Sequence, residues 1–450
     1  MSFKVSSMKD VKSEQKPVLD INLSTLEFNR PNIESVPSHI RLVDSDEENK
    51  LDLFCYINCN KTDPDFLKCC RGVVFNEEKL ILKSFPYTTE YTENNNKEEI
   101  SANIESIFKD CVFYNSYEGC LIRVFYFKNK WYISTNKKLD ANRSKWSSKQ
   151  SYGVFFQEAL HQEFQKNEKL KNNVTYNEET DRENACDIFF ESVLDKSKQY
   201  MFLLLNNSEN RIVCLEPLNP TIYHVGTFVN GELSLDENIY IPYPEKLEFT
   251  NINDVYNYVD KINYDILQGV VIFAPNNIQY KILNNTYFKY FNARGNEPSI
   301  KFRYLQVRMD PENNKMLHEL YPHMKKDFEE YENYIFDASR VIYNAYVDRF
   351  IKKLYVTVPV EEFNTIKEAH KWYFEDKTSH RITYEKIIEL LNIQTPTNLN
   401  KIVKRLKLNK LSPKESVENK PENKDFRDEK STHKVHKKRL LPKKEEKKEE

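Results

Sequence analysis

Five short segments concentrate the residues that could do chemistry. They are Cys70-Arg-Gly-Val-Val-Phe75, Lys83-Ser-Phe85, Ser116-Tyr-Glu-Gly-Cys-Leu-Ile-Arg123, Asp187-Ile-Phe-Phe-Glu-Ser192, and Gln268-Gly-Val-Val-Ile-Phe-Ala274 followed by Gln279-Tyr-Lys281. Each sets a polar group beside a β-branched or aromatic run. A glycine lets backbone approach a phosphate, and strand ends aim acids and bases into one cleft, so the pattern fits a nucleotide-binding sheet. The chain has only seven glycines in 450 residues, which makes Gly72, Gly119 and Gly269 within these segments worth notice. Their plain reading is a turn or a close approach that needs no side chain.

The elements that must position these groups divide the chain by pattern. From about Leu51 to Tyr304 the runs are short, β-branched or aromatic, and bounded by Asn, Asp or Gly, which predicts strands at 72–75, 120–127, 130–134, 187–190, 200–205, 211–214 and 269–273. A further apolar stretch at 18–26 could add an edge strand. Helices are predicted at 98–108 and at 151–172, the latter capped by Ser151. Beyond Met309 apolar residues recur at three and four positions, predicting helices over 313–354, 360–374, 383–391 and 397–406. The fold class expected is therefore α+β, a mixed and mainly antiparallel sheet domain followed by an all-α domain. The tail beyond Leu411 is Pro, Lys, Glu and Ser with a basic stretch at 434–439, and is expected to be disordered.

The order of the five segments resembles the covalent nucleotidyltransferase superfamily of RNA ligases, DNA ligases and capping guanylyltransferases. The resemblance is nearest to the phage-type RNA ligases and their relatives in large cytoplasmic DNA viruses, and it covers roughly Leu51 to Tyr304. It implies a ligase-like domain at 46–308, flanked by an irregular segment at 1–45, a helical domain at 309–410 and the charged tail at 411–450. Phe189-Phe-Glu-Ser192 is similar to the third motif of the family, Gln268-Gly-Val-Val-Ile272 to the fourth and Tyr280-Lys-Ile-Leu283 to the fifth. In the family a lysine two residues before the acid and glycine attacks the α-phosphate of ATP or GTP; here that position is Ser116. A serine hydroxyl cannot form the phosphoramidate, so Lys83 or Lys109 would have to substitute as nucleophile. The fourth motif's acid is Gln268, which brings no metal-binding charge.

What the resemblance implies for the site is a nucleotide cleft of Glu118, Gly119, Arg123, Glu191, Gln268 and Lys281, using ATP or GTP with Mg²⁺ and acting on RNA ends. Glu191 would accept from the ribose hydroxyl, or is an edge glutamate facing solvent. Arg123 alternates with Ile122 and Val124, and so faces opposite that apolar pair, towards the ligand or towards solvent. Arg71 and the loop residues Lys137, Lys138, Arg143 and Lys145 could hold RNA phosphates while Trp146 stacks on a base. A solvated basic loop anchored by a core tryptophan is the alternative, and the lysines of 401–410 pose the same choice. The function expected is an RNA ligase-like nucleotidyltransferase, catalytically degenerate at Ser116, or else a non-catalytic RNA- or nucleotide-binding protein of a cytoplasmic virus or plasmid.

Composition narrows the field. The 67 basic and 69 acidic residues leave a net charge of -2, so any nucleic acid must be met by a local basic surface. No apolar run reaches the ~18 residues of a membrane span, and the start lacks the apolar core of a secretory signal, so a cytoplasmic, membrane-free protein is expected. The eight cysteines show no paired C-x-x-C spacing and are expected as reduced thiols without disulfides. A zinc site from Cys55, Cys59 and Cys69 or Cys70 is the one metal alternative.

Overall fold

The structure is a computed structural model that describes residues 22–411. The charged tail from 412 and residues 18–21 of the apolar stretch at 18–26 lie outside them. Of that stretch, Leu23–Thr25 forms a turn of 3₁₀ helix, not an edge strand.

Strands β1 (Ile40–Asp46), β2 (Leu51–Tyr56), β3 (Arg71–Asn76) and β4 (Lys79–Leu82) make an antiparallel meander. In chain order follow β5 (Thr89–Thr92), β6 (Val112–Ser116), β7 (Gly119–Phe127), β8 (Lys130–Ser134), β9 (Gln199–Leu205), β10 (Ile222–Val229), β11 (Glu232–Ser234), β12 (Lys246–Leu247), β13 (Gly269–Phe273) and β14 (Gln279–Leu283). They build two more sheets, ordered β11-β10-β9-β7-β8 and β12-β6-β13-β14-β5. All pairs are antiparallel except β14 with β5, which is parallel.

Alternation on β7 explains the layering. Ile122 and Val124 pack with Phe156, Phe189 and Phe190 of the helices Tyr152–Lys166 and Ala185–Val193, while Phe125 packs on the other face with Leu51, Leu53 and Val74 of the meander. The β7 sheet is thus covered on both sides. The β6 sheet carries the helices Glu93–Ile104 and Ile252–Lys261 against Phe113, Val270 and Ile272 on one face. Its other face, with Tyr114 and Phe273, turns to the β7 sheet.

Two expected strands are absent, each for its own reason. Residues 187–190 lie in the helix Ala185–Val193, where Ala185, Cys186, Phe189 and Phe190 form one buried stripe at helical spacing. Residues 211–214 form no strand; the amide N–H groups of Ile212, Val213 and Cys214 are spent on a carboxylate described below. The expected helices all form, Ser151 accepting from Val154 N and Thr383 from Lys386 N as caps. From Asn285 onward the described chain is helical, and its apolar core takes in Val213, Cys214, Leu283 and Tyr287 together with residues out to Val403. The cysteines are free thiols, and no His, Cys, Asp and Glu cluster suited to a metal occurs among the described residues. No described helix is long and apolar enough to cross a membrane.

One buried histidine gives the fold a pH dependence. His224 on β10 is fully buried, its Nε2 within 3.1 Å of Gly226 O and 2.9 Å of Thr227 Oγ1, and burial pushes its pKa down to about 4. The unfolded chain binds this proton below about 6.5 while the folded chain does not, so stability should fall as pH drops from 6.5 towards 4. The loss expected across that window is on the order of 3 kcal/mol. Urea unfolding of wild type and His224→Gln at pH 7 and pH 4.5 checks it: the variant should lose less stability on acidification, and equal losses would refute the assignment.

Candidate functional site

The β6 and β7 sheets do not close on each other completely. Between them lies a cavity of 160 Å³, lined from one side by Leu121, Leu203 and Val225 and from the other by Tyr114, Ser116, Val271, Phe273, Gln279 and Lys281. Phe85, Tyr117 and Tyr243 add aromatic walls, and Arg71 and Thr88 stand with Lys281 among the polar lining. The volume is below the ~300–1,000 Å³ of drug-sized pockets, so it accommodates one flat ring or one phosphate group with the rest of a ligand outside.

Strand pairing explains why Ser116, Gln268 and Lys281 meet. Ser116 ends β6 opposite Gly269, which begins β13, and Gln268 N donates to Ser116 O at 2.8 Å. Gly269 is held at φ +155°, and a β-carbon there would sit 2.0 Å from Ile282 O, so glycine is what lets β14 come this close. Lys281 pairs with Val271 across that contact. The side chains then converge: Ser116 Oγ donates to Gln268 Oε1 at 3.1 Å and Lys281 Nζ to the same oxygen at 3.2 Å. Gln268 Nε2 donates to Tyr287 Oη at 2.8 Å, and Tyr287 donates to Glu118 Oε2 at 3.2 Å.

Arg71 heads β3 and reaches the same cavity. Its Nη1 donates to Pro86 O at 3.1 Å and Thr88 Oγ1 at 3.4 Å. Thr88 donates in turn to Gln279 Oε1 at 3.2 Å, and Gln279 Nε2, deeply buried, has no hydrogen-bond partner among the described residues. Lys281 has Glu90 at 3.8 Å, an exposed side chain directly opposite it on β5.

Several residues singled out in the sequence have other roles. Glu118 does not face a ligand: its carboxylate is buried and accepts from Ile212 N (2.8 Å), Val213 N (2.9 Å), Cys214 N (3.2 Å), Asn206 Nδ2 (3.1 Å) and Tyr287. Every lone pair is occupied. Arg123 points away from Ile122 and Val124 as its parity requires, yet the meander covers that face, so it meets neither ligand nor solvent. It is fully buried and donates to Gly72 O and Thr135 O, with Gly72 at φ +79° leaving room for the guanidinium. Glu191 stands on a helix outside the cavity, where it accepts from Trp131 Nε1 at 2.8 Å and pairs with Lys196 at 2.8 Å. Those two bonds, Lys196 first, hold its carboxyl below the usual range.

The basic loop is likewise engaged elsewhere. Asp44 on β1, its side chain largely covered, takes Lys138 at 3.4 Å, Arg143 at 2.5 Å and Leu139 N at 2.9 Å, while Lys137 and Lys145 are exposed and none of the four basic residues lines the cavity. Trp146 lies under the guanidinium of Arg294 at 5.1 Å. Lys83 borders a separate cavity with Phe66 and Phe228, and Lys109 is exposed on the 3₁₀ turn Glu105–Asp110, so neither reaches Ser116. Lys401, Arg405, Lys407 and Lys410 pair with Glu361, Glu362, Glu330 and Asp337 of neighbouring helices. Tyr287 and Gln279 are the residues that sequence reasoning passed over as contributors; Gln279 was legible only as a neighbour of Lys281.

No family profile matches the chain. It is 30% identical over 353 residues to the immediate-early protein ICP-46 homolog of Invertebrate iridescent virus 3, covering 76% of this chain and 74% of that one. The chain belongs to the ICP-46 family. A second member, from Invertebrate iridescent virus 6, is 27% identical over 413 residues and spans 82% of this chain and 86% of its own. A more distant relative of the ICP-46 chain is provisionally named a bifunctional polynucleotide kinase/RNA ligase, from Autographa californica nuclear polyhedrosis virus. It is 22% identical over 366 residues, which are 78% of this chain and 48% of that protein. Solved structures similar to the ICP-46 chain include an archaeal ATP-dependent RNA ligase at TM-score 0.34 and 9% identity, covering 84% of this chain and 79% of that one. A Naegleria gruberi RNA ligase bound to AMP and Mn gives TM-score 0.28 and 8% identity over 46% of this chain and 58% of that one.

Two groups that the resemblance implies can be tested against the ICP-46 cavity. A nucleotide fits in kind: aromatic walls suit a base, and Arg71, Lys281 and the orphan amide of Gln279 suit a phosphate. Mg²⁺ does not fit, because the ion prefers carboxylate oxygens and, among the described residues, none that line the cavity is Asp or Glu.

Proposed function

We propose that this ICP-46 protein is a ligase-like nucleotide- and RNA-end-binding protein whose cavity holds a nucleoside phosphate without covalent capture. The observation that carries the reading is the convergence of Ser116, Gln268 and Lys281, three positions 152 and 13 residues apart in the chain, on one polar contact beside an aromatic cavity. Their order along the chain matches the first, fourth and fifth ligase motifs. The name of the baculovirus relative supports the same class of substrate.

The chemistry separates binding from transfer. A lysine amine at position 116 would displace pyrophosphate from a nucleoside triphosphate and keep the nucleotide on nitrogen; the Ser116 hydroxyl, buried and donating to Gln268, makes no such bond. Among the described residues Lys281 is the one lysine lining the cavity, and its role here is that of a cation.

The test is intact-protein mass after incubation with Mg²⁺ and either ATP or GTP, beside a fluorescence titration with labelled nucleotide and a 5′-phosphorylated RNA oligonucleotide. Unchanged mass with saturable, salt-weakened binding is the expected result. An added nucleotide monophosphate would replace this reading with that of an active nucleotidyltransferase, and no saturable binding of either probe would reject it.

A further inference from the structure

The hydrogen-bond polarity around Gln268 is fixed from one side. Glu118 is a carboxylate and can only accept, so the Tyr287 hydroxyl spends its proton there at 3.2 Å. The Tyr287 oxygen is therefore an acceptor towards position 268, 2.8 Å away. Whatever occupies that position must donate to Tyr287 and, on its other atom, accept from Ser116 and Lys281. An amide does both. A carboxylate would set lone pair against lone pair at Tyr287 and would neutralise Lys281.

The result is a cavity whose charge is all of one sign. Arg71 and Lys281 are cations, and among the described residues the buried Nε2 of Gln279 finds no acceptor and no lining side chain is acidic. The neighbouring carboxylates are exposed and already engaged, Glu90 with Lys281 at 3.8 Å and Glu245 with Asn115 Nδ2 at 2.9 Å. Phosphate sites that use Mg²⁺ supply carboxylates to share the ion with the phosphate oxygens; a site of donors alone offers the metal nothing and competes with it for those oxygens.

We propose that the cavity binds a phosphate directly through Lys281, Arg71 and Gln279, with no divalent cation between, and that Gln268 is the positioning residue that holds the Lys281 ammonium in place without pairing off its charge. This rests on the nucleotide-binding reading above. The departure from an acid at position 268 is then a change of ligand chemistry, from metal-bridged to metal-free phosphate.

The experiment is titration of the full chain with ATP in excess EDTA and again in saturating Mg²⁺, by calorimetry. The dissociation constant in EDTA should be equal to or tighter than that in Mg²⁺, since free ATP carries the fuller negative charge. Binding weakened more than threefold by EDTA would overturn the inference and leave nucleotide binding intact. Saturation under neither condition would remove the nucleotide reading and this inference with it. Gln268→Glu, checked for folding by its thermal midpoint, should bind free ATP at least tenfold more weakly and regain threefold or more on adding Mg²⁺. A folded Gln268→Glu that binds free ATP like wild type would overturn the role given to Gln268.

Discussion

Replacing Glu118 by alanine should lower the free energy of unfolding by about 3–5 kcal/mol. The reason is a count of orphans. Ile212 N, Val213 N and Cys214 N, the Asn206 amide and the Tyr287 hydroxyl all give their protons to this one carboxylate, and the site is buried. Truncation leaves those donors unpaired in a region poor in water, and each buried unsatisfied group costs ~1–3 kcal/mol before relaxation. Glu118→Gln keeps the volume but turns one acceptor into a donor facing N–H groups, for a loss of about 2 kcal/mol. Urea unfolding at pH 7 measures both. If alanine costs under 1 kcal/mol, the carboxylate is not the organiser of the 212–214 segment.

The second large effect is on binding. Lys281→Ala should weaken nucleotide binding roughly 10- to 100-fold, corresponding to the ~1.5–3 kcal/mol of a hydrogen bond to a charged group. Stability should change little, because the Lys281 contacts are one shared amide oxygen and one half-exposed carboxylate at 3.8 Å. Lys281→Arg should retain part of the affinity, since charge persists while the fork geometry differs. The check is a fluorescence titration with labelled ATP on proteins of matched thermal midpoint, and an alanine variant within twofold of wild type would remove Lys281 from the site.

Much of the fold was legible because burial follows period. The strands 120–127, 200–205 and 269–273 and the capped helices at 152–166 and 384–392 announce themselves by alternation or by three- and four-residue spacing. The segment around Glu191 misleads because two adjacent phenylalanines suit a strand as well as a helix. Only the wider spacing of Cys186, Phe189 and Phe190 separates the two. Ser116, Gln268 and Lys281 could be gathered by motif order, and strand pairing brings them together. The true partners of Glu118 and Arg123 could not be read, since they come from Ile212 to Cys214 and from Gly72, contacts fixed by tertiary packing. Parity placed Arg123 on the correct face but could not show that a second sheet covers it. The basic loop offers the same lesson, as the acid that takes Lys138 and Arg143 lies 94 and 99 residues earlier in the chain.

Tyr321, at the end of the helix Pro311–Leu320, accepts from Arg294 Nε at 2.7 Å and donates towards Arg211 O at 2.7 Å and Ile212 O at 3.2 Å. The peptide groups it holds by their carbonyls belong to the same segment that Glu118 holds by its amides. The helices therefore brace, from behind, the hydrogen-bonded chain that ends on the cavity residue Gln268, and loosening them would slacken Glu118, then Tyr287, then Gln268. For native-state hydrogen exchange this makes 212–214 part of the slowest, globally opening set, although the segment has no secondary structure of its own. A fragment cut before Tyr321 would keep every residue that lines the cavity and still lose the brace that keeps them in register.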